Sequence, residues 1–317
     1  MKDMNRHNLS ISNFKSNLWL FCKILMVFIF VVALCFNMMP QYLGNYNASI
    51  LDKVARLKEL DGSRIVLLGD SNLAFGIESA MIEEKLGMPV VNMGLHGGCG
   101  NAFYENLAKI NVHEGDIYVL CHTNYTDEGI VSPVVMWTVI ENHFELWKLL
   151  SLKDIPVMVK SYPAYLKHCI GYWENENGNL LNDSLYIRSS FNEYGDIAIE
   201  RHELTYEFSE GNKYCPEIDN ATAKRINKLN RYLEERGATL VIAGYPIAKG
   251  DFTADEGEYV QFQNQLQEKL DCEVISDFRD YMIDYSLFFD AAWHLNTEGA
   301  EVRTEQLISD LKAYMNR

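Results

Sequence analysis

Gly69-Asp70-Ser71 follows directly on the apolar run Ile65-Val66-Leu67-Leu68, and Asp290 and His294 stand close together near the other end of the chain. These residue types can do nucleophilic acyl chemistry. A serine hydroxyl is a weak nucleophile until a base takes its proton, and that base must be held in the right tautomer by a third group. A buried strand ending in Gly-Asp-Ser brings the hydroxyl to the carboxyl edge of a sheet. Open α/β sheets bind ligands at that edge, and a helix start there offers N–H groups to a developing negative charge. Alone, Gly-Asp-Ser also fits a turn with a helix cap, and His294 beside Trp293 also fits a packed or surface histidine. Read together, Ser71, His294 and Asp290 are candidates for nucleophile, base and orienter.

The elements around these residues alternate. Strand 64–68 leads to a helix over Ser79–Leu86, a strand at Val90–Asn92, a helix at Ala102–Asn111 and a strand at Ile117–Leu120. After a long interruption, roughly 125–216, alternation resumes. A helix over Ala221–Arg236, a strand at Thr239–Ala243, a helix over Glu256–Leu270 and a strand at Glu273–Ile275 precede a last helix from Thr297 to Tyr314. Alternation on this scale predicts an α/β domain with a central parallel sheet and helices on both faces. Within the interruption, Val131–Leu150 is rich in large apolar residues. It reads as a helix covering the sheet, or as a surface docking on a membrane or an integral partner. Trp173–Asn212 is polar and turn-rich around Phe191-Asn192-Glu193-Tyr194-Gly195-Asp196, which reads as an ordinary turn or as the wall of a carbohydrate cleft.

Gly69-Asp70-Ser71, Asn92-Met93-Gly94 and Asp290…His294-Leu295-Asn296, in that order, resemble the blocks of the SGNH hydrolase superfamily, the GDSL-type esterases. The resemblance covers roughly Ser63 to Arg317. It implies a three-layer, flavodoxin-like domain with an insertion after the third strand, and a serine hydrolase that needs no metal or organic cofactor. Carried over residue by residue, Ser71 would be the nucleophile, His294 the general base and Asp290 its orienter. The N–H groups of Ser71 and Gly94, with the side chain of Asn124, would form the oxyanion hole. The chain departs from the family twice. Three residues separate Asp290 from His294 where the family has two, and His122-Thr123-Asn124-Tyr125 stands where Gly-x-Asn-Asp is usual.

The N-terminus sets the expected location. Lys2, Arg6 and Lys15 precede a largely apolar stretch from Leu18 to Met39, interrupted by Lys23. About twenty apolar residues span a bilayer, and Lys23 can snorkel to its interface. No small-residue cleavage site follows, and Leu34 before Cys35 is a poor lipoprotein signal, so an uncleaved signal anchor is expected. The organisation predicted is a cytoplasmic tail (1–17), a transmembrane anchor (18–39), a stalk helix (40–60) and an extracytoplasmic domain (61–317). The anchor, together with Phe289…His294-Leu295-Asn296-Thr297-Glu298-Gly299-Ala300, resembles the membrane-anchored alginate O-acetylation and D-alanyl transfer proteins. That resemblance implies an esterase or O-acyltransferase acting on a cell-surface glycan, with a multi-spanning membrane O-acyltransferase as a partner. A catalytically inactive scaffold or polysaccharide-binding component is the alternative. A metal site built from Asp70, His96, His122 and His294 is a third reading.

Charge narrows the partners. The chain carries 28 Lys and Arg against 44 Asp and Glu, a formal net charge of −16. The first 39 residues hold four basic side chains and one acidic, which leaves 24 against 43 for the remainder. A domain this acidic is a poor partner for nucleic acid or for anionic headgroups. Of the seven cysteines, Cys22 and Cys35 fall in the anchor. The other five, Cys99, Cys121, Cys169, Cys215 and Cys272, are widely spaced and form no metal-binding pair.

Overall fold

The computed structural model describes residues 7–38, 44–126, 129–141, 143–176, 185–209, 216–249 and 255–317. Lys2, Arg6 and Pro40 of the expected tail and anchor, and Cys215, lie outside them. The chain divides into two units, Met1–Gln41 and Tyr42–Arg317. The first contains one helix, α1 (His7–Met38). Its stretch Phe14–Leu34 is 21 residues long, apolar enough to cross a membrane, and unburied. Lys23 within it places its ammonium 3.4 Å from the centre of the Trp19 ring. The apolar stretch thus begins and ends a few residues earlier than the sequence suggested.

The expected stalk belongs to the second unit. Asn45 caps a short turn, Tyr46–Ser49, which continues into α2 (Ile50–Glu59). Ile50, Val54 and Leu57 recur at helical spacing and are buried against the domain. An apolar stripe of that kind needs a surface to cover, which a free-standing stalk does not give it. Lys53 and Arg56 reinforce the docking. Lys53 Nζ donates to the carbonyls of Asn92 (3.0 Å) and Gly195 (2.5 Å), and Arg56 Nε to that of Val90 (2.8 Å).

Next come β1 (Ile65–Leu68), α3 (Ser71–Gly76), α4 (Ser79–Leu86) and β2 (Val90–Asn92). They are followed by α5 (Asn101–Leu107), β3 (Ile117–Leu120), α6 (Pro133–Ile140), α7 (Phe144–Trp147) and α8 (Ile155–Glu176). The rest is α9 (Asn220–Glu234), β4 (Thr239–Ile242), β5 (Ile247–Lys249), α10 (Glu256–Lys269), β6 (Glu273–Val274), β7 (Met282–Asp284) and α11 (Thr297–Met315). Five strands form a parallel sheet in the order β2-β1-β3-β4-β6. Its centre pairs Ile65 with both Val90 and Ile117, and Leu68 with Leu120. All four β1 side chains are buried, as expected of a parallel strand covered on both faces. The chain leaves β1 in one direction for β2 and returns past it to β3. The strand order therefore reverses between β1 and β3, and a crevice opens at their carboxyl ends. At that point Gly69 is obligatory, because a Cβ there would stand 2.7 Å from the Cys121 carbonyl oxygen.

A buried ion pair ties the opposite ends of the two central strands. Arg64 and Asp116 have no exposed side-chain surface. The guanidinium reaches Asp116 Oδ1 through Nε (3.1 Å) and Oδ2 through Nη2 (2.6 Å), and the Arg64 N–H also donates to Oδ1 (2.9 Å).

The interruption is largely structured. Val131–Leu150 forms α6 and α7, with Met136, Trp137, Val139, Ile140 and Leu146 buried, so most of this stretch covers the domain. Helix α8, which packs on α6, was not expected from the sequence. The Trp137 ring stacks on Tyr165 at 5.3 Å, and its Nε1 donates to the Met158 carbonyl (2.9 Å). The turn at Phe191–Asp196 is a fastener, not a cleft wall. The Asn92 N–H donates to the Tyr194 carbonyl, and buried Asp196 accepts from the N–H and Oγ of Ser79 and from Asn92 Nδ2. A second small sheet pairs β5 with β7, also unexpected.

Asp116→Ala would leave the Arg64 guanidinium buried without its counter-charge, at a cost of about 3–5 kcal/mol. Denaturant unfolding in detergent should register that loss; a change under about 1 kcal/mol would contradict this account of the Arg64–Asp116 pair.

Candidate active site

Ser71 is the first residue of α3, and its position follows from Asp70. Asp70 Oδ1 caps the helix by accepting from the Asn72 N–H (2.9 Å) and Asn72 Nδ2 (2.7 Å). Its Oδ2 accepts from Thr123 Oγ1 (2.6 Å), which fastens the end of β1 to the loop after β3. Buried Asn72 is satisfied on every side. Its Nδ2 also donates to the Cys121 carbonyl (2.9 Å), and Arg303 of α11 donates to its carbonyl (2.7 Å) and to its Oδ1 (2.8 Å).

The histidine arrives on the loop before α11. Asn296 caps that helix by accepting from the Gly299 N–H (2.8 Å), which sets His294 two residues ahead of the cap. His294 Nε2 lies 2.8 Å from Ser71 Oγ, and Nδ1 lies 2.7 Å from Asp290 Oδ1. With the aspartate ionised, Nδ1 carries the proton and Nε2 is left to accept from the serine hydroxyl. The wide Asp290–His294 spacing is absorbed in a turn. His294 N–H donates to the Ala291 carbonyl (3.2 Å), and Phe289 N–H to the His294 carbonyl (2.9 Å). The imidazole lies flat on Phe75, one helical turn after Ser71, with ring centres 4.0 Å apart and planes 2° from parallel.

Two residues from the interruption, neither of them marked by a local sequence pattern, complete this arrangement. Tyr186 OH donates to Asp290 Oδ2 (2.5 Å). Burial pushes the Asp290 carboxyl up, but hydrogen bonds from His294 and Tyr186 outweigh it and hold the group below its ordinary value. Burial and the bond to Asp290 raise the Tyr186 phenol, which keeps it a donor. Buried Arg201 donates to the carbonyls of Phe75 (3.0 Å) and Leu295 (3.2 Å), joining the end of α3 to the residue after His294.

One sequence assignment is corrected. The Gly94 N–H donates to Asn92 Oδ1 (2.8 Å), and a Cβ at Gly94 would stand 2.6 Å from that of Leu73. Gly94 is spent on close packing and does not line the crevice. Gly97, three residues on, does. Among the described residues neither Ser71 N–H nor Gly97 N–H has an acceptor within the chain. Asn124 lines the same space, with its Oδ1 accepting from the N–H (2.8 Å) and Oγ1 (2.7 Å) of Thr126.

The crevice has a volume of about 550 Å³. Ser71 and His294 share its wall with Tyr46, Tyr186 and Trp293, the polar side chains of Asn101, Asn124 and Thr126, and backbone at Gly97 and Gly100. Among the described residues no lysine or arginine lines it, and Asp70 is the acid that does. The residues of the metal reading do not converge. His122 Nε2 is bonded to buried Glu105 (3.2 Å), His96 Nδ1 accepts from the Gly98 N–H (2.9 Å), and both nitrogens of His294 face Asp290 and Ser71. Cys99 and Cys121 are buried free thiols, pushed up by burial to about 12 and about 11, and pack as inert side chains.

No protein-family model and no curated protein matches the chain. Among solved structures it is similar to the protein YxiM of Bacillus subtilis, at 12% identity and a TM-score of 0.39. The likeness covers 80% of this chain and 57% of YxiM.

The lowered Asp290 carboxyl links the site to pH. Its ionised form contributes stability above the ordinary aspartate range, and that contribution is lost as pH falls through its lower folded value. Tyr186→Phe removes one of the donors. The variant should be less stable than wild type at neutral pH by about 1 kcal/mol. Thermal unfolding at stepwise lower pH should bring the two proteins together as the carboxyl protonates. A gap of constant size down to about pH 2 would contradict the coupling.

Proposed function

We propose that the chain is a membrane-anchored serine esterase or O-acyltransferase of the SGNH type, acting on acyl esters of an extracytoplasmic glycan. The observation that carries this reading is the continuous line from Ser71 Oγ through His294 to Asp290, with contacts of 2.8 and 2.7 Å. The strand order β2-β1-β3-β4-β6, with the serine at the point of reversal, supports a doubly wound flavodoxin-like sheet.

In the proposed reaction His294 Nε2 takes the Ser71 proton as Oγ attacks the acyl carbonyl. The N–H groups of Ser71 and Gly97, with the Asn124 amide, receive the oxyanion as it forms. Asp290 steadies the imidazolium, and His294 then protonates the departing alkoxide to leave an acyl-serine. Either water or a sugar hydroxyl, deprotonated by the same imidazole, collects the acyl group. Aromatic rings beside neutral amides and hydroxyls suit sugar rings, whose faces stack on Trp293 and Tyr186 and whose hydroxyls meet Asn101 and Thr126. Each hydrogen bond required of the three residues is in place, which favours the enzyme over the inactive-scaffold alternative.

The location follows from α1. The Phe14–Leu34 stretch is read as the span, with Lys2 and Arg6 before it and Lys15 in its first turn marking the cytoplasmic side, and the α/β unit outside. A multi-spanning O-acyltransferase as acyl donor is part of the transferase form of the proposal.

Ser71→Ala should abolish cleavage of p-nitrophenyl acetate by the purified full chain; wild-type rates in that variant would refute the nucleophile. Asn124→Ala should lower kcat by about 10²–10³ with a smaller effect on KM. Turnover near wild type would remove Asn124 from the oxyanion hole.

A further inference from the structure

The charge of this chain is unevenly placed. Between Lys148 and His168 the sequence has Lys148, Lys153, Lys160 and Lys167 against one acid, Asp154, in a protein of net charge −16. Lys153, Lys160 and Lys167 are seven residues apart, so they form one ridge along α8 and the turn before it. All are exposed, and none is in an ion pair among the described residues.

Beside that ridge runs a second one that is apolar and open to solvent. Leu152 is 91% exposed, Val159 66% and Ile170 57%. Val159 and Ile170 fall on the same side of α8, next to the lysines and away from Met158, Tyr165 and Cys169, which are buried against the domain, and Leu152 stands in the turn before the helix. Side chains that α8 needs for its own packing are thus on a different face. A surface helix with one apolar and one cationic ridge lies in the plane of a membrane interface, the apolar ridge sunk below the headgroups and the lysines at their phosphates.

We propose that α8 docks on the anionic lipid surface of the bilayer that α1 crosses. The inference rests on the reading of α1 as a membrane span. A chain tied to the bilayer at its N-terminal unit meets the lipid at high effective concentration, so a short helix and three lysines suffice for a lasting contact. The overall acidity of the domain opposes contact elsewhere on its surface, which makes the cationic ridge the face that turns to the lipid. In the proposed enzyme such a contact would fix the orientation of the crevice relative to the membrane.

The test uses the full chain in native membranes and in nanodiscs, with the photocrosslinking residue p-benzoylphenylalanine placed singly at Phe28, Val159, Ile170 or Glu301. Phe28 reports the span, and exposed Glu301 on α11 sets the background. In phosphatidylglycerol nanodiscs, Val159 and Ile170 should give lipid adducts about tenfold or more above Glu301. The combined change Lys153→Glu, Lys160→Glu and Lys167→Glu, or a purely phosphatidylcholine bilayer, should bring them near background. Lipid adducts at Phe28 with none at Val159 and Ile170 would overturn the docking and leave the span intact. Background yield at Phe28 would refute the span itself. Crosslinks from Val159 to another protein or to a second copy of the chain would overturn the lipid proposal in favour of a protein partner.

Discussion

The molecule is organised around one distance, the 2.8 Å between Ser71 Oγ and His294 Nε2, which joins residues 223 positions apart in the chain. Two buried arginines maintain it. Arg303 grips the carbonyl and side chain of Asn72 from α11 and so fixes the start of α3. Arg201 grips the end of α3 at Phe75 and the loop at Leu295. A buried guanidinium whose donors meet carbonyl oxygens is costly to move, because displacement leaves both charge and carbonyls unsatisfied. The serine and the histidine are therefore held from two directions. The flat contact of Phe75 beneath the imidazole removes the remaining freedom of the ring.

This frame changes the meaning of the long interruption. It is packed through α6 on the short turns Tyr46–Ser49 and Gly97–Cys99, fastened to β2 by the turn around Asp196, and brought into the site by Tyr186 and Arg201. The interruption is thus part of what positions Asp290 and His294, rather than an appendage on a finished domain. The aspartate accepts on both oxygens, from His294 and from Tyr186, and these hydrogen bonds stabilise its charge. In the proposed mechanism that arrangement keeps the imidazole in a single tautomer through both halves of acyl transfer.

The legible parts of this protein were those written in local pattern. β1, β3 and β4 are short, mostly apolar runs, and parallel strands buried on both faces leave that trace. Ser71, Asp290 and His294 were legible because their types and order match a mechanism. Gly94 was misread: the run Gly94, Gly97, Gly98, Gly100 offers several glycines, and only the packing of Gly94 against Leu73 separates a structural one from one lining the crevice. The stalk reading failed because α2 looks amphipathic in any setting, and its covering surface comes from residues far along the chain. Helix α8 was hidden by Pro163 inside it, which reads as a breaker. Tyr186 and Arg201 left no local signal, since their roles are set by contacts with residues about a hundred positions away.

The central claim is that Ser71 is a nucleophile activated by His294. Mass spectrometry of the purified full chain after exposure to a fluorophosphonate probe addresses it most directly. The account predicts one adduct, on the peptide carrying Ser71, with its formation strongly slowed in a His294→Ala variant. An unmodified protein, or labelling at Ser71 that proceeds at the same rate without the histidine, would contradict it.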